Sequence, residues 1–247
     1  MRLKLTIAYD GANYAGWQVQ KVGLGVQQVI EEAIAEIFQE QIRIHGSSRT
    51  DTGVHARAMI AHFDIPRERL RMKLCKVPLA LNAKLPEDIR IMEAREVPES
   101  FHARFNARGK EYRYYVFNHV AMDPLLRRNA WHVPQTLDFD AIRGAAACFP
   151  GKQDFAAFAN NRNYEMESTV RTIHRCDMKK AGPLLTFIIE GDGFLYKMCR
   201  GIAGTLIQTG LGKYSPADVK RMLAAKDRRM AGMTAPAHGL ILWKVFY

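Results

Sequence analysis

Apolar and polar residues alternate over Leu3 to Tyr9, and similar short apolar runs recur at Ile42 to Ile44, Met59 to Ile65, Ile89 to Met92, Tyr112 to Phe117, Val170 to Met178 and Leu184 to Ile189. Each predicts a strand. Between the first two the period changes. Val26, Val29, Ile30, Ala33, Ile34, Ile37 and Phe38 fall at helical spacing, with Glu31, Glu32 and Glu36 on the other side, so the segment Val26 to Phe38 predicts an amphipathic helix covering a sheet. The same logic predicts a basic helical segment around Leu70, Leu74 and Val77 and a helix from Phe139 to Phe149. It also predicts a last major helix opened by Gly191 to Arg200, with Ile202, Ala203, Leu206 and Ile207 facing inward. Lys180-Ala181-Gly182-Pro183 is a turn between two strands. The chain divides in the basic and aromatic stretch Phe101 to Glu111, because a strand restarts at Tyr112; this predicts an N-terminal half, 1–106, and a C-terminal half, 107–247.

The charge narrows the partners. The 247 residues carry 36 Lys plus Arg against 25 Asp plus Glu, a formal net charge of +11, and an excess of that size attracts polyanions and speeds their encounter. Nucleic acid leads, with an acidic membrane surface behind it. No apolar run approaches the roughly 20 residues that span a bilayer, and Met1-Arg2-Leu3-Lys4 leads into a strand without a signal-peptide core, so no membrane partner and a cytoplasmic location are expected. Cys75, Cys148, Cys176 and Cys199 are scattered without a Cys-x-x-Cys pair, and His174-Arg175-Cys176 is too little for a metal site. No metal and no cofactor are expected; a Gly-x-x-x-x-Gly-Lys-Ser/Thr phosphate loop is absent.

The candidate chemistry sits in Gly46-Ser47-Ser48-Arg49-Thr50-Asp51-Thr52-Gly53-Val54-His55-Ala56, between two of the predicted strands. Gly46 and Gly53 permit backbone angles that other residues resist, so the loop can turn sharply and approach a ligand. Asp51 there can serve as a nucleophile, a general base or a metal ligand, or as a turn aspartate that satisfies loop backbone. A second loop, Asp10 to Gln20, carries Tyr14 and Trp17 among amides; it either caps the sheet edge or stacks on bases.

The whole strings go further than their parts. Arg49-Thr50-Asp51 with Gly53-Val54-His55-Ala56 resembles the active-site motif of the pseudouridine synthases, in the branch of tRNA pseudouridine synthase A. Ser47, Ser48 and Thr52 depart from that motif only in small residues. The Tyr9-Asp10-Gly11, Tyr14 and Gly16-Trp17-Gln18 pattern, the Leu81-Asn82 to Leu85-Pro86 turn, Tyr112-Arg113-Tyr114, Gly151 to Phe158, Phe194 to Gly204 and the closing Ala235 to Leu242 resemble further segments of that family, in order along nearly the whole chain.

That resemblance implies an α+β fold of two subdomains, each an antiparallel sheet with helices on one face, meeting at a central basic cleft. It implies an isomerase that converts uridine to pseudouridine in the anticodon stem-loop of tRNA, at positions thirty-eight, thirty-nine and forty, and that works as a homodimer. Asp51 is then the catalytic aspartate. Arg49 enters the space left by the flipped base, Tyr112 lies against the uracil, Arg200 is the counter-ion of Asp51, and Leu240 shields the site. Desolvation by Tyr112 and Leu240 favours the neutral acid and the guanidinium favours the anion; the ion pair is expected to prevail. A noncatalytic RNA-binding module would need the charge and aromatics but no role for Asp51. A metal-dependent nuclease would want several convergent carboxylates, where this loop offers one.

Overall fold

The computed structural model describes residues 1–160 and 168–247, and these cluster into two units, Met1–Arg108 with Ile241–Tyr247, and Gly109–Leu240. The last strand, expected in the second half, therefore groups with the first unit. The first unit is built on β1 (Arg2–Tyr9), whose Leu3, Leu5, Ile7 and Tyr9 are buried in strict alternation. Helix α1 (Val26–Phe38) matches the predicted span, and its Phe38 ring lies 6.0 Å from Phe63. After it come β2 (His45–Gly46), β3 (His55–Asp64), the short α2 (Val77–Asn82) and β4 (Ile89–Val97). β1 pairs antiparallel with β3 on one side and β4 on the other, so that Leu5 faces Ala61 and Ala94. The far edge of β3 is shared: Ile241 and Leu242 run parallel to His55 and Ala56, while His45 and Gly46 pair antiparallel with His62 and Ala61.

Two predicted elements differ. Ile42 to Ile44 is not a strand, because its backbone bonds to helix side chains instead of a neighbouring strand: Ile44 N donates to Glu31 Oε1 at 2.9 Å and Ile44 O accepts from Gln27 Nε2 at 3.1 Å. Gln27 thus sits buried on the apolar face of α1. The basic segment after Ile65 forms two 3₁₀ turns, Arg67–Arg69 and Leu74–Lys76, and becomes helical only at its end, where Val77 opens α2. Neither turn buries a residue, so no packing offsets the cost of nucleating a longer helix.

The second unit contains β5 (Gly109–Phe117), β6 (Trp131–His132), α3 (Phe139–Ala146), β7 (Gly151–Asp154), β8 (Val170–Ala181), β9 (Leu184–Gly191), α4 (Met198–Gly210), α5 (Pro216–Ala225) and the start of β10 (Leu240–Phe246). Its main ladder, β5-β9-β8-β7, is antiparallel as expected, and the short β6 adds to β5 in parallel. Tyr114 and Val116 of β5 are wholly buried, and Tyr114 faces Phe187 of β9. Helix α5 went unpredicted although the sequence signals it. Ser215 Oγ accepts from Asp218 N, the Asp218 carboxylate accepts from Ser215 N, and Pro216 stands in the first turn, a complete capping box.

On β3, Phe63 faces α1, so its neighbour His62 faces the opposite side. There His62 is buried between the rings of His45, at 5.1 Å, and His102, at 4.7 Å, and its Nδ1 accepts from Ala103 N at 3.2 Å. Burial first, then the charges of His102, Arg2 and His45, pull its pKa down to about 4. A depressed imidazole means that the unfolded chain binds the proton more readily. The contribution of His62 to stability is therefore complete above the ordinary histidine value of roughly 6.5 and is lost as pH falls towards 4. Denaturant unfolding of wild type and His62→Gln across this range should show the wild type losing stability more steeply, by up to about 1 kcal/mol per pH unit; parallel curves would contradict it.

Candidate active site

The Asp51 loop is held from below by the loop that follows β1. Thr50 is buried, its Oγ1 2.8 Å from the Tyr9 hydroxyl and its carbonyl accepting from Trp17 N at 3.2 Å. Val54 N closes a turn onto Asp51 O at 3.1 Å, with Gly53 at the position that requires positive φ, here 76°. Gly53 N in turn donates to Tyr14 O at 3.3 Å. His55 Nδ1 receives Gly11 N at 3.0 Å and lies 2.9 Å from Asp10 Oδ1. The two loops touch so closely that side chains are excluded: a Cβ on Gly16, where φ is 95°, would lie 2.4 Å from Thr50 O, and one on Gly46 would lie 2.6 Å from the Trp17 indole nitrogen.

Tyr14 and Trp17 are consequently not an exposed stacking surface. They are 5% and 3% exposed. Trp17 packs beside Tyr9 with centroids 6.2 Å apart, and the Tyr14 hydroxyl donates to Asp88 Oδ1 at 2.5 Å. Burial and the Asp88 carboxylate both hold the Tyr14 phenol well above its usual pKa, so it stays a proton donor. Of the alternatives for this loop, the structure supports a supporting role. Tyr9, Thr50 and Asp88 are supporting positions to which sequence reasoning assigned no individual role.

Above this base, Asp51 is half-buried and Arg49 is exposed. Ser48 Oγ is buried without a hydrogen-bond partner among the described residues. Orphaned buried hydroxyls are uncommon and call for a local explanation, and this one directly precedes Arg49.

The remaining predicted residues stand in the second unit. Arg200, in the first turn of α4, donates through Nε to Ala235 O at 2.8 Å, and its own carbonyl accepts from Ala235 N at 3.0 Å. Gly204, one turn on, lets this segment cross α4 at contact: a Cβ there would meet Met233 O at 1.9 Å. The chain then passes Pro236, whose carbonyl takes the Tyr114 hydroxyl at 2.8 Å, and Gly239, which lies against the Tyr114 ring, to reach buried Leu240. Arg200, Tyr114 and Leu240 are thus linked through one short segment. Tyr112, two residues before Tyr114 on β5, is 7% exposed and meets Phe194 edge-on at 5.1 Å. Among the described residues no group of three or more His, Cys, Asp or Glu is arranged to hold a metal ion.

The supporting contacts make a stability prediction. Tyr9→Phe removes the buried partner of Thr50 Oγ1 and should cost about 1–3 kcal/mol in denaturant unfolding. Gly16→Ala meets both a positive φ and a backbone carbonyl and should cost more. Gly182→Ala, at φ 58° with nothing within 4 Å of the added methyl, bears only the backbone strain and serves as the reference; equal losses for the two glycine variants would refute the close approach.

The sequence profile of the family described as tRNA pseudouridine synthase matches residues 5–106 and 145–247. A tRNA pseudouridine synthase A of Bacillus pumilus (strain SAFR-032) is 45% identical over 249 residues, covering 100% of this chain and 99% of the relative. Its namesakes in Geobacter sp. (strain M21), 46% identical over 99% of this chain and 98% of the relative, and in Bacillus subtilis (strain 168), 45% identical over 100% and 99%, are similar throughout. With a profile match that spans both units and identities of this size from end to end, the chain belongs to the tRNA pseudouridine synthase family.

Proposed function

We propose that this protein isomerises uridine to pseudouridine in tRNA, at positions thirty-eight, thirty-nine and forty of the anticodon stem-loop, with Asp51 as the catalytic aspartate, acting in its ionised form. The observation that carries the reading is the buried base of hydrogen bonds from Tyr9, Tyr14 and Trp17 beneath Thr50-Asp51, in a chain whose family performs this chemistry. The reaction balances without a redox partner: the C1′–N1 bond breaks, a C1′–C5 bond forms, C5 releases a proton and N1 gains one. No cofactor is needed to close that account.

The target base is stacked or paired and must first be extruded, at a cost of a few kcal/mol. Exposed Arg49 fills the vacated space, and contacts to phosphate by a protein of charge +11 offset part of the cost. Tyr112 lies against the uracil, Leu240 keeps water from it, and Arg200 keeps Asp51 ionised for attack on the nucleoside. The Nε bond to Ala235 O fixes the Arg200 guanidinium, a preorganised charge of the kind that stabilises transition states most effectively. We further propose a homodimer in the cytoplasm. Among the described residues no helix is long and apolar enough to cross a membrane.

Purified protein incubated with unmodified tRNA, followed by chemical labelling of pseudouridine, should give product in the anticodon arm. Asp51→Asn should lower turnover by roughly three orders of magnitude or more while tRNA affinity stays within about twofold. Arg200→Met should lower kcat by about a hundredfold with little change in KM. Product from Asp51→Asn at the wild-type rate would end the assignment.

A further inference from the structure

The histidine cluster on the outer side of β3 continues into a ladder of rings that ends in solvent. His45 stacks on His62, His102 meets His62 at 4.7 Å, and Phe105 lies over His102 with centroids 4.3 Å apart and planes inclined by 33°. Phe105 is 74% exposed. A single exposed phenylalanine is ordinary on a protein surface, but this one is not on a loose loop. Asn106 N donates to His102 O at 3.0 Å, and Arg104 N and Phe105 N both donate to His102 Nδ1 at 3.1 and 3.3 Å. The Tyr247 hydroxyl holds Ala103 O at 2.6 Å, and Arg2 holds Phe101 O at 2.7 Å. These bonds fix the backbone that carries Phe105, and the His102 ring supports one face of its side chain.

The surroundings of Phe105 say what it is presented to. The Arg104 guanidinium lies 5.6 Å from the Phe105 ring, and no carboxylate among the described residues pairs with it. Lys4, opposite His62 on β1, stands 5.8 Å from the rings of both Phe101 and Tyr247. His62 and His102 both have lowered pKa values, chiefly from burial, so near neutral pH the His102 ring on which Phe105 lies, and His62 behind it, favour the neutral form. A flat apolar face beside unpaired positive charge fits a nucleobase and its phosphate. The same β2 that brings His45 to the ladder runs directly into the loop bearing Asp51.

We propose that Phe105 is a stacking site for an unpaired nucleotide of the RNA substrate, with Arg104 taking the adjoining phosphate, at a position distinct from the pocket for the reacting uridine. This deepens the RNA reading above and rests on it. The test uses the full-length protein, labelled unmodified tRNA, and heparin as a polyanion without bases. Phe105→Ala and Phe105→Leu should weaken tRNA binding by about fivefold or more and raise KM by the same factor with kcat unchanged. Phe105→Trp, which keeps a stacking face, should stay within about twofold of wild type, and heparin affinity should not move. Because Phe105 is exposed, thermal unfolding of all three variants should match wild type. Wild-type tRNA affinity in Phe105→Ala, a loss in Phe105→Trp equal to that in Phe105→Ala, or an equal loss for heparin would each overturn the stacking site. A wild-type protein that makes no pseudouridine while Phe105→Ala still weakens tRNA binding would remove the catalytic assignment and leave this site in place.

Discussion

A carboxylate on a loop performs chemistry only if the loop cannot relax around it, and the constraint here is the backbone contact between the segments Tyr9–Trp17 and Thr50–His55. The Thr50 carbonyl and hydroxyl, Gly53 N and His55 Nδ1 are all occupied by the first segment. Each such bond has a modest net worth, but breaking one strands a buried polar group at a cost of about 1–3 kcal/mol. The loop is therefore held less by attraction than by the absence of any cheap alternative. Glycines at 16 and 46 are what allow it, since any Cβ would push the two segments apart. Preorganisation of this kind moves the cost of positioning from the reaction to folding.

The second unit uses the same device in a different form. Arg200 does not reach out from α4 on a flexible stem; its guanidinium is bonded to the segment that crosses its own helix, and its backbone carbonyl is bonded there too. Gly204 makes the crossing possible, and the Tyr114 hydroxyl fixes the next carbonyl along. Burial raises the Tyr114 phenol far above its ordinary pKa, so it remains a donor to Pro236 throughout the physiological range. A long cationic side chain loses much rotamer freedom when its end is fixed, and the bond from Arg200 Nε to Ala235 O takes much of that loss during folding.

The sequence made α1 legible because its apolar positions follow one period and nothing interrupts them, and it made the Asp51 loop legible because the string of residues is specific. It misled at Ile42–Ile44, where alternation predicted a strand and the amide side chain of Gln27 and the carboxylate of Glu31 took the backbone instead. That competition is invisible to a pattern of apolar spacing, since it depends on a polar residue on the buried face of α1. Tyr14 and Trp17 were left open between packing and stacking for a related reason. Aromatic residues among amides suggest a surface, yet the glycines around them let another backbone close over the rings. Helix α5 was legible in Ser215, Pro216 and Asp218, but its weak apolar face gave the period little to detect.

The distribution of charge separates what holds the fold from what serves its partner. Many of the ion pairs are local and exposed, such as Arg143 with Asp140, Arg175 with Asp177 and Arg229 with Asp227, and pairs of this kind contribute little to stability. Arg43, Arg49 and Arg104 are exposed with no carboxylate partner among the described residues. An excess of +11 makes the folded chain repel itself, which disfavours compactness. Cations without a carboxylate partner add to that repulsion and contribute no ion pair to the fold. Their use is outside the chain, where they draw in a polyanion over a range set by the ionic strength. The rigid contacts around Asp51 act only within hydrogen-bond distance. The two scales are complementary: the long-range field draws a polyanion such as tRNA to the surface, and the short-range contacts hold the Asp51 loop in one conformation.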